Sequence, residues 1–196
     1  LERTESLARN IAKNVKERAI IFASGTEVIE GKIKDTNSPY LLETLNKAGY
    51  KANFGGILED NVLAITNKIL EAIDKGYGLI ITTGGVGAED KDCTVEAILK
   101  LDPTASTPWI LTFKPDYQRH HKESVRIAVG NVGLSWIVAL PGPHEEVEVG
   151  CERLLQGLEQ GLNKVELAEY IVDALRERWL SLKEKGGWDH GLSGNS

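Results

Sequence analysis

The chain has only two cysteines, Cys93 and Cys151, among its 196 residues. They stand far apart and form no metal-type pair, so they read as free thiols rather than as a zinc or redox pair. No run of about 18 apolar residues occurs, and no signal-peptide pattern opens the chain. A membrane-crossing helix is thereby excluded, and a soluble, cytoplasmic protein is expected. An excess of basic residues is also lacking. Lys and Arg number 23 against 29 Asp and Glu, a net charge of −6, which argues against nonspecific nucleic-acid binding. There is no internal repeat. The length suits one domain, or one domain with appended helices, with a substantial core.

What is present centres on Leu79 to Thr94, LIITTGGVGAEDKDCT. A short apolar run ended by glycines has the pattern of a buried parallel strand. Gly84, Gly85 and Gly87 allow a sharp turn and a close backbone approach to a ligand. A helix start after such a turn offers free N–H groups and a positive dipole end to a phosphate or carboxylate. Asp92 falls where that anion is expected, so it either caps the helix or has a chemical role, such as holding a metal or polarising a phosphoanhydride. The turn is not a P-loop, because no Gly-Lys-Ser/Thr follows, and its glycine spacing is not the dinucleotide fingerprint. Ser24 and Ser135 have no histidine pattern suggesting a hydrolase triad.

In chain order, Leu7, Ile11 and Val15 lie four apart and place a thin apolar stripe on a helix over residues 1–18. It can serve packing on the domain or on a partner chain. Ala19–Ser24 is the first core strand, followed by Gly25, Thr26, Glu27 and then Asp35-Thr36-Asn37. Ligands bind beyond the carboxyl ends of strands in open α/β sheets, so the two strand ends could line one crevice. Asn37-Ser38-Pro39 predicts a helix start, and Gly49 its end. Tyr50–Phe54 predicts a short strand. Asp60 is placed to cap a helix running to about Lys75, a role worth about 1 kcal/mol. Thr94 to about Leu101 predicts another helix, with Thr94 as a capping candidate, ended by Asp102-Pro103. Trp109–Leu111 is an extended piece. His120-His121 point to opposite faces of any strand and do not make a metal site. Val125, Ile127 and Val129 alternate and, with Ser135–Leu140, predict a β-hairpin with a turn longer than two residues. Pro141-Gly142-Pro143-His144-Glu145-Glu146 is the third glycine-bearing turn after an apolar strand. Pro143 can open a helix there, with the two glutamates in its first turn, and His144 is a candidate ligand contact or a surface histidine. A helix over about Lys164–Leu182 and a glycine- and serine-rich tail complete the chain. The expected organisation is an N-terminal helix over 1–18, a central domain over 19–162, a C-terminal helix over 163–182 and a disordered tail over 183–196.

Three of these turns, taken together, resemble the molybdopterin-binding domain family of the MoaB, Mog and MoeA type. The run Gly25-Thr26-Glu27-Val28-Ile29-Glu30-Gly31-Lys32-Ile33-Lys34-Asp35-Thr36-Asn37 resembles the family's opening motif, most closely that of the N-terminal domain of CinA proteins. Thr82-Thr83-Gly84-Gly85-Val86-Gly87, with Asp92 and Thr94 behind it, resembles the second signature, and Leu140-Pro141-Gly142-Pro143 followed by acids the third. The resemblance covers about residues 19–160. It implies a three-layer α/β/α sandwich with a mostly parallel, mixed-edge sheet, and a pocket for a phosphorylated pterin or nucleotide. Residues implied to bind the ligand are Gly25, Thr26, Glu27, Asp35, Asn37, Thr83, Gly84, Gly85, Gly87, Thr94, Pro141, Gly142, Pro143, His144 and Glu145. The two aspartates that matter most in Mog-type adenylyltransferases match Asp60 and Asp92. By that resemblance they would act on Mg-ATP and molybdopterin, with Asp92 and Glu89 near a divalent cation. Family members commonly form dimers, trimers or hexamers, which implies a homo-oligomer here.

One departure bears on chemistry. The family's proline after the last glycine is replaced by Ala88-Glu89-Asp90, and carboxylates so close together repel a phosphate unless a divalent cation stands between them. Three functions follow from the resemblance: binding molybdopterin in molybdenum cofactor biosynthesis with adenylyl transfer to it; metal-dependent cleavage of an ADP-ribose-type pyrophosphate, as in CinA N-terminal domains; or a non-catalytic cofactor-binding module.

Overall fold

The computed structural model describes residues 2–24, 34–86, 93–111 and 125–185. Helix α1 (Glu2–Lys16) leads into strand β1 (Arg18–Ser24), followed by α2 (Asn37–Lys47), β2 (Lys51–Leu58), α3 (Val62–Asp74) and β3 (Leu79–Thr83). Then come α4 (Cys93–Leu101), β4 (Trp109–Leu111), β5 (Val125–Arg126), β6 (Ala128–Val132), β7 (Ser135–Leu140), α5 (His144–Glu159) and α6 (Lys164–Lys185). Five strands form the main sheet in the order β2-β1-β3-β7-β6, and β4 and β5 form a separate antiparallel pair. The first four strands are parallel. Only β6 runs antiparallel, at the edge, through its hairpin with β7.

The apolar strands are buried on both faces because helices cover both. Ala19, Ile21, Leu79, Ile81, Val138 and Leu140 meet α2, α5 and α6 through Leu41, Leu45, Val147, Cys151, Leu154, Leu167, Ile171 and Leu175. Their alternates Ile20, Phe22, Ile80, Ile137 and Ala139 meet α3 and α4 through Ile65, Ile69, Ala72, Val95, Ala97 and Ile98. This is the three-layer α/β/α sandwich expected. Helix α6 shares the first core, so its apolar stripe is as much a part of the sandwich as α5 is.

Several local expectations need correction. Strand β2 does not stop at Phe54 but runs to Leu58, because a bulge absorbs the glycines: Ile21 pairs with Phe54 and Phe22 with Gly56. A Cβ on Gly55 would sit 2.3 Å from the Phe22 ring, so the bulge is where that ring is accommodated. The β6–β7 turn is Gly133-Leu134, two residues and no longer, with Gly133 at φ 59°. The alternating run from Val125 is split: Val125 and Arg126 pair with β4, and β6 starts at Ala128. Helix α6 continues to Lys185, three residues past the expected end. The rest of the tail, and His120-His121, lie outside the described residues.

Candidate functional site

Consecutive connections leave the sheet in opposite directions at β1 and β3. The chain after β1 goes to α2 on one face, and the chain after β3 goes to α4 on the other. Such a switch point opens a crevice at the carboxyl ends of the strands. Ser24, Gly84, Gly85, Thr94, Asp60, Asn37, Gly142 and His144 meet around it.

Gly84 and Gly85 form its floor. Both have left-handed φ, 81° and 66°. A Cβ on Gly84 would lie 2.4 Å from the Ser24 carbonyl oxygen; one on Gly85 would lie 2.5 Å from Thr94 Oγ1 and 2.7 Å from Ser24 Oγ. Both the backbone conformation and the space therefore require glycine. The Gly84 N–H donates to the Leu140 carbonyl at 3.1 Å, and Gly142 packs over it, a Cβ there falling 3.7 Å from Gly84 Cα. The second and third glycine turns are thus in contact. Thr94 is in the first turn of α4 and is fully buried. It is not the cap, since the helix already includes Cys93. Its hydroxyl, like those of Thr82 and Ser38, is buried without a hydrogen-bond partner among the described residues, an unmet polar group beside the glycine floor.

One wall comes from α2. Thr36 stands at its cap position without a side-chain cap bond, and Asp35 just before it takes over that task, its Oδ1 accepting from the N–H groups of Asn37 at 3.1 Å and Ser38 at 3.0 Å. Asn37, expected as the capping residue, is inside the helix and its side chain is released for another purpose. Its Nδ2 donates to the Gly142 carbonyl at 2.7 Å, and its Oδ1 meets His144 Nδ1 at 2.8 Å. An amide oxygen only accepts, so His144 carries its proton on Nδ1 in this contact. Tyr40, three residues after Asn37 on the same helix face, meets the His144 ring edge-on at 5.4 Å between centroids. His144 Nε2 lies 3.6 Å from a Glu148 carboxylate oxygen.

Asp60 stands at the opposite wall, past the end of β2. It is not the helix cap: Asn61 is, accepting from the Ala64 N–H at 3.0 Å. Asp60 Oδ1 instead accepts from Ser24 Oγ at 3.4 Å, so the carboxylate is tied to the end of β1. Carboxylate and hydroxyl oxygens are the donors Mg²⁺ takes, and Asp60 with Ser24 supplies that chemistry. Among the described residues no group of three or more acids, histidines or cysteines is placed to hold a metal. Gly25, Thr26, Glu27, Gly87, Glu89 and Asp92 lie outside the described residues.

The structure therefore brings Asp35, Asn37, Asp60, Gly84, Gly85, Thr94, Gly142 and His144 to one crevice. Thr83 ends β3 and is buried, as is Pro141, whereas Pro143 is the exposed residue preceding α5. Glu145 is set apart, its carboxylate engaged by Arg178 of α6. Sequence reasoning missed Tyr40 and the Ser24–Asp60 contact. The helical spacing of Asn37 and Tyr40 carries a signal for the first. Nothing local carries one for the second, since it spans two strands.

Comparison with known proteins bears on the fold and the family. The family described as "Probable molybdopterin binding domain" matches residues 20–160. A CinA-like protein of Fervidobacterium nodosum is 45% identical over 82 residues, covering 42% of this chain and 20% of that protein. A "Putative competence-damage inducible protein" of Streptococcus pneumoniae serotype 2 is 30% identical over 159 residues, covering 67% of this chain and 38% of its own length. The chain thus spans well under half the length of these curated relatives. Among solved structures, MoaB of Pyrococcus furiosus, a tungsten cofactor synthesizing protein, superposes with a TM-score of 0.58 at 20% identity, over 74% of this chain and 94% of that one. CinA of Thermoplasma acidophilum gives 0.57 at 20% identity, over 75% and 98%. The structural likenesses establish the fold, and the match over 20–160 establishes the family: the chain belongs to the molybdopterin-binding domain family and has CinA-like proteins among its relatives.

Proposed function

We propose that the crevice between β1, β3 and β7 binds a phosphorylated pterin of the molybdopterin type. The observation that carries this is the Gly84-Gly85 floor. Its bare backbone lies against Ser24 and against the unpartnered Thr94 hydroxyl, beside the start of a helix. Phosphate oxygens supply acceptors for that hydroxyl, and the start of α4 turns the positive end of a helix dipole toward them. On the α2 side, Asn37 and His144 are already locked to each other and to Gly142, so the wall is set before a ligand arrives and ligand ordering costs less.

The finer reading is adenylyl transfer from ATP to molybdopterin, with Asp60 and Asp92 as the catalytic pair and Glu89 and Asp92 beside Mg²⁺. A bound Mg²⁺ would neutralise phosphate charge next to these acids. Asp60 would orient it from the β2 side through the contact with Ser24. The CinA-like names of the curated relatives favour a second reading, cleavage of an ADP-ribose-type pyrophosphate at the same crevice. Leu7 and Ile11 on α1 are exposed and supply an apolar stripe for the homo-oligomer that belongs to this reading. A monomer mass in light scattering at micromolar concentration would rule that oligomer out.

Calorimetric titration with molybdopterin, ATP and ADP-ribose, each with and without Mg²⁺, tests the function. Molybdopterin binding is expected, with ATP binding only when Mg²⁺ is present. Asp60→Asn and Asp92→Asn should abolish the metal-dependent turnover and leave the melting temperature nearly unchanged. ADP-ribose cleavage without pterin binding would overturn the leading reading in favour of the second.

A further inference from the structure

Asn37 stands in the first turn of α2, yet both ends of its amide are engaged on the facing wall. Its Nδ2 donates to the Gly142 carbonyl at 2.7 Å, and its Oδ1 accepts from His144 Nδ1 at 2.8 Å. The amide is therefore committed before any ligand arrives. What it controls is the imidazole. An amide oxygen cannot donate, so the contact holds the neutral ring with its proton on Nδ1 and leaves Nε2 as a bare acceptor. The Tyr40 ring, edge-on at 5.4 Å between centroids, bears on the same imidazole. Nε2 then faces a second acceptor. Glu148 lies one turn further along α5 on the same face, with a carboxylate oxygen 3.6 Å away. That separation is beyond hydrogen-bond reach. The His144 and Glu148 side chains are 38% and 46% exposed, and among the described residues no lysine or arginine is paired with Glu148. Two lone-pair groups side by side repel each other until a group bearing N–H or O–H bonds stands before both.

We propose that Asn37 is a positioning residue and not a ligand contact: it holds His144 in the Nδ1–H form, so that His144 Nε2 and the Glu148 carboxylate make an acceptor pair for the N–H edge of the ligand's heterocycle. This rests on the crevice being the site of a phosphorylated pterin. The aminopyrimidine edge of a pterin carries neighbouring N–H groups, one on the ring and one on the exocyclic amine, and meets two adjacent acceptors at once. An edge with a carbonyl in place of the amine sets one acceptor against another and binds less well. The glycine floor takes the phosphate end. Gly142, two residues before His144, packs on that floor, so the acceptor pair belongs to the wall beside it.

Two measurements separate this inference from the reading it rests on. Without ligand, nitrogen-resolved NMR of the His144 ring at pH 8 should show one proton, on Nδ1. Asn37→Ala should move it to Nε2, where the Glu148 carboxylate accepts it. A wild-type ring protonated on Nε2, or on both nitrogens, would overturn the positioning role. The second measurement is calorimetry with hydroxymethylpterin phosphate and with the matching lumazine, which carries an oxygen in place of the amine. About a tenfold preference for the pterin is expected in wild type, falling to about twofold or less in Asn37→Ala and in Glu148→Gln. Glu148→Gln leaves the Asn37–Gly142 bond untouched, so it carries the test even where Asn37→Ala fails to fold. Equal wild-type affinity for the two compounds would overturn the acceptor pair and leave the crevice reading standing. Binding of neither would reject the crevice reading, and the acceptor pair with it.

Discussion

Replacing Asp102 with Asn should cost about 2–4 kcal/mol of stability at pH 7, and most of that cost should vanish in acid. Asp102 follows α4 and is 7% exposed. Its Oδ2 accepts from Lys164 Nζ at 2.7 Å and from the Asn131 N–H at 2.9 Å. Its Oδ1 accepts from the Thr104 N–H at 3.0 Å and hydroxyl at 2.7 Å. One carboxylate thus joins α4, β6 and the start of α6. Burial alone would raise its pKa, but these donors outweigh it and hold the carboxyl at about 2, below its ordinary 3.8. At about 1.4 kcal/mol per pH unit the difference contributes roughly 2 kcal/mol to folding. Because the folded value is the lower one, that contribution is complete above about pH 5 and is lost as the pH falls through 3.8 toward 2. The Asn variant keeps one acceptor but turns an NH₂ toward existing donors, which adds the cost of a mismatched buried group. Urea unfolding of both proteins at pH 7, 5, 4 and 3 measures the gap. A gap under about 0.5 kcal/mol at pH 7, or one that does not narrow toward pH 3, would refute the reasoning.

Gly85→Ala forces a side chain into a φ of 66° and to within 2.5 Å of Thr94 Oγ1; a loss of about 1–3 kcal/mol in chemical denaturation and of ligand binding in calorimetry is expected. Asn61→Ala removes the cap of α3 and should cost about 1 kcal/mol, seen as a lowered urea midpoint, whereas Asp60→Ala should cost less than Asn61→Ala because it is not the cap. Burial pushes the Cys151 thiol up to about 12, so in native protein at pH 8 iodoacetamide should leave it unmodified by mass spectrometry, and labelling should appear only with denaturant.

The sandwich was legible because its central strands β1, β3 and β7 are short, apolar and followed within two residues by glycine, while its helices carry apolar stripes at helical spacing. Periodicity reports burial, and burial on two faces is what this architecture demands. The crevice was legible at Gly84 and Gly85 for a different reason: only glycine suits those two backbones, so the residue type records the constraint. Capping was read one or two residues off, with Asp35 acting for Asn37 and Asn61 for Asp60. Asp and Asn accept from the backbone equally well, and neighbouring candidates differ only in backbone angles that the sequence does not display. The extent of β2 was hidden because a bulge built on Gly55-Gly56 has the same composition as a turn. The Asp102 network and the fastening of α6 to α5 depend on residues brought together across the fold, and no local pattern announces them.

The bulge in β2 also bears on how the molecule avoids sticking to itself. An open sheet has two rows of backbone groups able to recruit a foreign strand. On the β6 side that row is occupied: Ser106 exchanges two hydrogen bonds with Val129, and the Pro108 carbonyl takes the Ile127 N–H. On the β2 side nothing covers the row among the described strands, and Phe54 and Ile57 are exposed there. The extra residue at Gly55 breaks the regular alternation of donors and acceptors and tightens the local twist. An incoming straight strand can match only a few residues on either side of it. The same irregularity that makes room for the Phe22 ring therefore leaves this edge a poor template for fibre growth, despite the apolar side chains displayed along it.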